Sequence, residues 1–123
     1  MPIAITATLH LTPATAAQTL IDARPLIAAS RAEPGCLAYD WSLDPLSPGR
    51  VCVFELWRDA AALAHHFTLT NYTGMAARLA AAGLSDAVAT KYVITQEAPV
   101  YDAAGTPRAD FDHAGARGIP GAG

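Results

Sequence analysis

Apolar and polar residues alternate from Ile3 to Leu11, and this period of two predicts a strand with one buried face. After Thr12 and Pro13, which suit the start of a helix, the apolar spacing becomes helical and continues to about Ala32. Pro25 lies inside this segment and should kink the helix or divide it.

The helix is expected to end at Glu33-Pro34-Gly35, where proline and glycine disfavour its continuation, and two strands follow. The strands are predicted over residues 36–43 and 51–57, and the turn-rich segment between them predicts a hairpin loop. Alternation places a mainly apolar and aromatic set of side chains, with one glutamate, on the same face of each strand. These positions are Leu37, Tyr39, Trp41 and Leu43 on the first strand, and Val51, Val53, Glu55 and Trp57 on the second.

The second half of the chain predicts helices over 60–67 and 72–82 and a last strand over 87–96. Asp59 is the expected N-cap of the first helix, and Gly83 ends the second. The order βαββαβ predicts a ferredoxin-like α+β fold, in which helices cover one face of a four-stranded antiparallel sheet. Neither face of the third strand is plainly polar, so we expect the uncovered face to pack against a second copy in a homodimer.

Length and composition predict one domain, residues 1–96, followed by a tail over 97–123. The tail contains three prolines and five glycines, a composition typical of disorder. The net charge of −3 and the absence of a basic run argue against nucleic-acid and membrane partners. Two lone cysteines, no signal-peptide pattern and no membrane-length apolar stretch favour a cytoplasmic protein.

Three short motifs in residues 33–67 resemble those of the antibiotic biosynthesis monooxygenase family, including its quinol monooxygenases. They are Glu33-Pro34-Gly35-Cys36-Leu37-x-Tyr39, Glu55-x-Trp57-x-Asp59 and Leu63-x-x-His66-Phe67. The resemblance extends over about residues 1–96 and implies a dimeric α/β barrel. It also implies oxidation of a quinol or polyphenol by molecular oxygen without flavin, metal or haem, although other members isomerise a small phosphorylated compound.

His66 is the predicted catalytic base, since an imidazole exchanges a proton near neutral pH. Helical spacing places His66 on the same inward side as Leu63 and Phe67, and turns His65 elsewhere. The alternative is a structural histidine that bonds a backbone carbonyl.

Four aromatic residues are predicted to line a pocket that stacks a flat substrate: Tyr39, Trp57, Phe67 and Tyr72. The alternative for Tyr39 and Trp57 is that they fill the core. Trp41 is a further candidate, either for the pocket wall or for the dimer face.

Asn71 and Glu55 each have a catalytic and a structural interpretation. Asn71 either stabilises a developing oxygen anion or caps the helix that follows it. Glu55 either orients His66 or forms a structural ion pair with Arg58 or Arg78, and we favour the ion pair.

The sequence contains no glycine-rich phosphate loop, no HExxH spacing and no Cys/His cluster, so we expect neither a dinucleotide nor a bound metal. A cofactor-free monooxygenase is therefore the leading hypothesis. A second is an isomerase that uses the same base, with Arg78 or Lys91 holding a phosphate at the pocket mouth. A third is a dimeric ligand-binding module without turnover.

Overall fold

The structure is a computed structural model that describes residues 1–115 and Gly118. The chain divides into two units, one over Met1–Val93 and one from Ile94 onward. The first unit has the predicted ferredoxin-like α+β fold. Its strands are β1 (Ile3–His10), β2 (Cys36–Leu43), β3 (Arg50–Trp57) and β4 (Ser85–Val93). Its helices are α1 (Ala16–Asp22), α2 (Arg24–Arg31), α3 (Ala60–His66) and α4 (Thr70–Ala81).

The four strands form an antiparallel sheet in the order β2-β3-β1-β4. The pairing of Tyr39 with Glu55, and of Glu55 with Ile5, places these three side chains on one face. A register shift between Cys36 and Ala38 interrupts the alternation of β2. The prediction that Leu37 shares the face of Tyr39 is therefore wrong, because the bulge leaves Leu37 57% exposed.

The helices cover one face of the sheet, and the core lies between them. The opposite face, which the four helices leave uncovered, exposes Phe54, Val88 and Tyr92. Buried side chains fall into two adjoining clusters with the same sheet face in common. The first includes Leu9, Val51, Val53, Met75 and Leu79, and the second consists of Ile5, Tyr39, Trp57 and Leu63.

The first helical segment divides at Ala23, and Pro25 lies in the first turn of α2, as expected of proline. The predicted start at Thr12 and Pro13 is wrong, because these residues form a turn and α1 begins after Thr15. Among the described residues, the longest helix is α4, with 12 residues. No helix of this part of the chain is long and apolar enough to cross a membrane.

Two local features position α3 over the sheet. Asp59 caps the helix, as predicted, because its Oδ1 accepts a hydrogen bond from the Ala62 backbone N–H at 2.8 Å. Gly35 contacts the side chain of Ala62, and any larger residue at position 35 would occupy the same space as Ala62. This close approach holds the first turn of α3 against the loop that precedes β2.

The second unit contains a small turn where composition predicts disorder. Tyr101 pairs with Pro107 in an isolated bridge, and Asp102 Oδ1 accepts hydrogen bonds from the backbone of Ala104 and Thr106. Arg108 forms a bidentate pair with Asp110. These contacts order the segment locally. The remainder of the predicted tail, residues 116, 117 and 119–123, lies outside the described residues.

Candidate active site

A buried polar network joins the ends of three helices. His66, the last residue of α3, is 1% exposed, and its Nδ1 lies 2.7 Å from Glu33 Oε2. Asn71, in the first turn of α4, donates from Nδ2 to the same Oε2 at 2.8 Å and to Ser30 Oγ at 2.9 Å. Glu33 and Ser30 belong to the end of α2 and the loop after it. Buried polar groups of this kind are stable only when they bond each other.

The network determines which nitrogen of His66 is available for chemistry. Glu33 Oε2 also accepts the hydrogen bond from Asn71 Nδ2, and the same oxygen facing His66 as an acceptor favours the tautomer in which Nδ1 carries the hydrogen. In the neutral imidazole, Nε2 is then the unprotonated nitrogen. Within residues 1–115 and Gly118, Nε2 accepts no hydrogen bond, and His66 forms part of a cavity wall. This arrangement suits a base that takes a proton from a ligand.

Aromatic rings surround the imidazole. The ring of Trp57 lies nearest, at 4.5 Å between centroids, followed by Tyr72 at 5.5 Å and Tyr39 at 5.6 Å. The ring of Phe67 lies 5.9 Å from His66, at the exposed end of the cluster. These rings limit the orientations open to the imidazole and exclude water from one side of it.

The cavity beside His66 has a volume of about 280 Å³ and is mainly apolar. It lies between the helix-covered face of the sheet and α4. No described side chain of β4 is buried, so the cavity opens along this strand. Its walls comprise His66, Glu55, Tyr39, Trp41, Tyr72, Ala7, Leu9, Val53, Met75, Ala76, Leu79, Leu84, Ala87 and Ala89.

Burial changes the acid–base behaviour of two wall residues. It raises the pKa of the Glu55 carboxyl, although the hydrogen bond from Trp57 Nε1 at 3.0 Å and the nearby His66 oppose the rise. Burial, assisted by the charge of Glu55, also raises the pKa of Tyr39 to about 12. Tyr39 therefore stays a neutral phenol at physiological pH.

The structure brings three of the predicted site residues to the cavity wall: His66, Tyr39 and Tyr72. The other three lie elsewhere. Trp57 is fully buried beneath the imidazole, and Phe67 contacts His66 and Tyr72 outside the wall. Both hydrogens of Asn71 Nδ2 are taken by the network, and Asn71 lies inside α4, so it is not the cap of that helix.

Sequence reasoning left Trp41 between the pocket wall and the dimer face, and the register of β2 directs it into the cavity wall. The expected ion pair of Glu55 with Arg58 or Arg78 is wrong, because Glu55 accepts from Trp57 and Arg58 pairs with Asp59.

Glu33 is the partner of His66 that sequence reasoning missed. From sequence, Glu33-Pro34-Gly35 is a helix end and part of a family-like motif, and the Glu33 side chain is given no role of its own. The available signal was a carboxylate between Ala32 and Pro34, in an otherwise apolar environment beside a predicted inward histidine. Such a carboxylate needs a buried partner.

The fold and this network define a small ferredoxin-like α+β protein with a histidine–carboxylate pair at the wall of an apolar cavity. A family model for antibiotic biosynthesis monooxygenases matches residues 2–78, and the chain belongs to that family.

Solved structures share this architecture. A candidate antibiotic biosynthesis monooxygenase from Deinococcus radiodurans is 28% identical, with a TM-score of 0.70 over 79% of this chain and 95% of that one. PA3566 from Pseudomonas aeruginosa is 31% identical, with a TM-score of 0.65 over 76% of this chain and 93% of that one. Rv0793 from Mycobacterium tuberculosis, 24% identical, shares the fold with a TM-score of 0.69 over 80% of this chain and 99% of that one. The uncharacterized protein sll1783 from Synechocystis sp. is 32% identical over 66 residues, 54% of this chain and 45% of that protein, so the match spans less than half of this relative.

Proposed function

We propose that this protein is a cofactor-independent monooxygenase that oxidises an electron-rich quinol or related polyphenol with molecular oxygen. The observation that carries the proposal is the buried Glu33–His66 pair, whose imidazole forms part of the wall of an apolar, aromatic-lined cavity. Family membership supports the same reaction class. The fold alone would not, because one fold can host many reactions.

The first step is removal of the hydroxyl proton of the quinol by His66 Nε2. Glu33 accepts the Nδ1 hydrogen bond and stabilises the imidazolium that forms. Asn71 and Ser30 act as positioning residues, because they hold Glu33 and do not line the cavity. The dry wall then keeps the quinol anion away from water, which would otherwise stabilise it and lower its reactivity.

The anion transfers one electron to oxygen, and the resulting radical pair combines to form a carbon–oxygen bond. The hydroperoxide then loses water, so that the overall change is quinol plus O₂ to hydroxyquinone plus H₂O. One oxygen atom enters the product and the other leaves as water, with the quinol supplying all the electrons. The protein supplies the base, the orientation and the apolar surroundings.

Oxygen uptake by the purified protein, over a panel of one- and two-ring quinols, tests the proposal. His66→Ala is the test variant, and His65→Ala is its control, because His65 is adjacent on α3, exposed, and absent from the cavity wall. We expect uptake with the wild type and the control, and a loss of roughly 10²-fold or more in the test variant, as for a general base. Product should contain one atom of ¹⁸O from labelled oxygen.

Other outcomes separate the alternatives. Turnover that proceeds equally without oxygen would contradict the proposal and support an isomerase. Saturable binding of quinols without turnover, retained after loss of His66, would instead support a ligand-binding module. Uptake that is unchanged in His66→Ala would leave oxygenation intact but reject His66 as the base.

We also propose that a second copy covers the exposed sheet face to form a homodimer. Phe54, Val88 and Tyr92 share that face and are 41–63% exposed, an apolar surface of the kind that marks an interface. Phe54→Asp should shift the sedimentation coefficient from dimer to monomer. A wild-type protein that sediments as a monomer at micromolar concentration would refute the interface.

A further inference from the structure

We propose that Lys91 determines substrate specificity by binding an anionic substituent, a carboxylate in the first instance, on the aromatic compound that occupies the cavity. The inference rests on the cavity of the proposed function and adds the substrate class. It is carried by the register of β4, by the charge balance around the cavity and by the position of its mouth.

The register of β4 places Lys91 on the face that lines the cavity. Ala89 pairs with Ala7, and both belong to the wall. Lys91 follows two residues later, so its side chain leaves the same face of the sheet, and it pairs with Ile5. Lys91 is not itself a wall residue, and because β4 is exposed throughout, we infer that its flexible side chain reaches the rim of the opening.

Lys91 is the single lysine of the chain and makes no ion pair with the described residues. Most described arginines are paired with a nearby aspartate. The two others without such a pair are Arg24 and Arg78, which line separate surface grooves. Arg78 lies away from the cavity because the side of α4 that forms the cavity wall consists of Met75, Ala76 and Leu79. Lys91 is thus the free cation on the cavity side of the described residues.

The distance between the two ends of the cavity fixes where the anionic group must be. Glu55 on β3 and Lys91 on β4 are separated by β1, so their backbones are about 10 Å apart at a strand spacing of about 4.8 Å. A hydroxyl held at His66, beside Glu55, leaves the far side of a ring directed toward β4. A carboxylate on a short chain opposite the reacting hydroxyl would therefore reach Lys91.

The test compares two quinols that differ only in the end group of a short side chain, a carboxylate in one and a primary amide in the other. Dissociation constants are measured anaerobically from the quenching of tryptophan fluorescence, and oxygen uptake is measured separately. Lys91→Met removes the charge and keeps the length, Lys91→Arg keeps the charge, and Arg78→Met is the control. A phosphate ester of the same quinol shows which anion is preferred.

We expect the wild type to bind the carboxylate roughly two- to fivefold more tightly than the amide, as for a solvent-exposed ion pair. Lys91→Met should abolish this preference without weakening amide binding, whereas Lys91→Arg and Arg78→Met should retain it. Added salt should reduce the preference.

Equal binding of acid and amide by the wild type, or a preference that survives in Lys91→Met, would overturn the inference. Oxygen uptake with the amide in that case would leave the proposed function standing. Conversely, a Lys91-dependent preference for the carboxylate without any oxygen uptake would support the inference and contradict the oxygenation. If the phosphate ester binds more tightly than the carboxylate, and Lys91→Met removes this preference, Lys91 remains the anion site but its preferred anion is a phosphate and the carboxylate assignment is wrong.

Discussion

Glu33→Gln is the substitution that examines the site most directly. In the wild type, Glu33 Oε2 accepts hydrogen bonds from His66 Nδ1 and Asn71 Nδ2 at 2.7 and 2.8 Å. A glutamine oxygen can accept both bonds, but it carries no charge to stabilise the imidazolium. The variant therefore retains the shape of the network and loses the interaction that strengthens as His66 takes a proton.

The expected loss follows from the strength of that hydrogen bond. A hydrogen bond to a charged group contributes about 1.5–3 kcal/mol, and about 1.4 kcal/mol changes a rate tenfold. Because glutamine keeps part of the bond, kcat should fall roughly ten- to a hundredfold. KM should change little, since Glu33 is not in the cavity wall.

The assay is oxygen uptake as a function of quinol concentration, with Asp40→Asn as a variant of equal charge change. Asp40 pairs with Arg31 at the surface, so its loss should leave kcat unchanged. ¹⁵N NMR of the imidazole provides a second readout, because we expect the wild-type tautomer to carry its hydrogen on the Nδ1 that faces Glu33. A folded Glu33→Gln protein with wild-type kcat would refute the reasoning that Glu33 supports the base.

Three further substitutions test the energetics of the fold. Burial raises the pKa of Glu55, so the stability that Glu55 contributes to the fold is present below the usual carboxyl pKa and is lost as the pH rises through the pKa of the folded state. Glu55→Gln should therefore raise Tm more at pH 7.5 than at pH 4. An equal change in Tm at the two pH values would contradict this. The pKa of Tyr39 is raised to about 12, so the wild type should lose roughly 1 kcal/mol of stability between pH 10 and 11 in urea titrations. The Tyr39→Phe variant should lose measurably less stability than the wild type over the same pH range. Asp59→Ala removes the hydrogen bond to Ala62 and should lower the unfolding free energy by about 0.5–2 kcal/mol, whereas no change would mean that the cap is dispensable.

Periodicity was sufficient to predict the order and type of the elements, because the first three strands and the helices each bury one face of their own. Pro25 was placed correctly for the same local reason, since the ring cannot continue a helix interior. The bulge before Ala38 could not be predicted in this way, because nothing in the alternation of β2 requires an extra residue. Its consequence is the exposure of Leu37.

The site was only partly predictable, because its decisive contact is not local. Helical spacing placed His66 inward, and that placement holds. The partner of His66 is Glu33, which is 33 residues away in sequence. Similarly, the sequence favours Trp57 over Trp41 as a pocket residue, whereas in the structure Trp57 lies beneath the imidazole and Trp41 lines the cavity, an outcome that depends on tertiary packing.

The network of Ser30, Glu33, His66 and Asn71 would also make the proposed activity depend on three helix ends being folded at the same time. It draws two groups from the end of α2 and one group each from the end of α3 and the start of α4, so separation of any one end leaves a buried polar group without a partner. These helix ends should therefore open together, and their backbone amides should exchange hydrogen at a common rate. Partial unfolding would then remove activity all at once, before the sheet itself is lost.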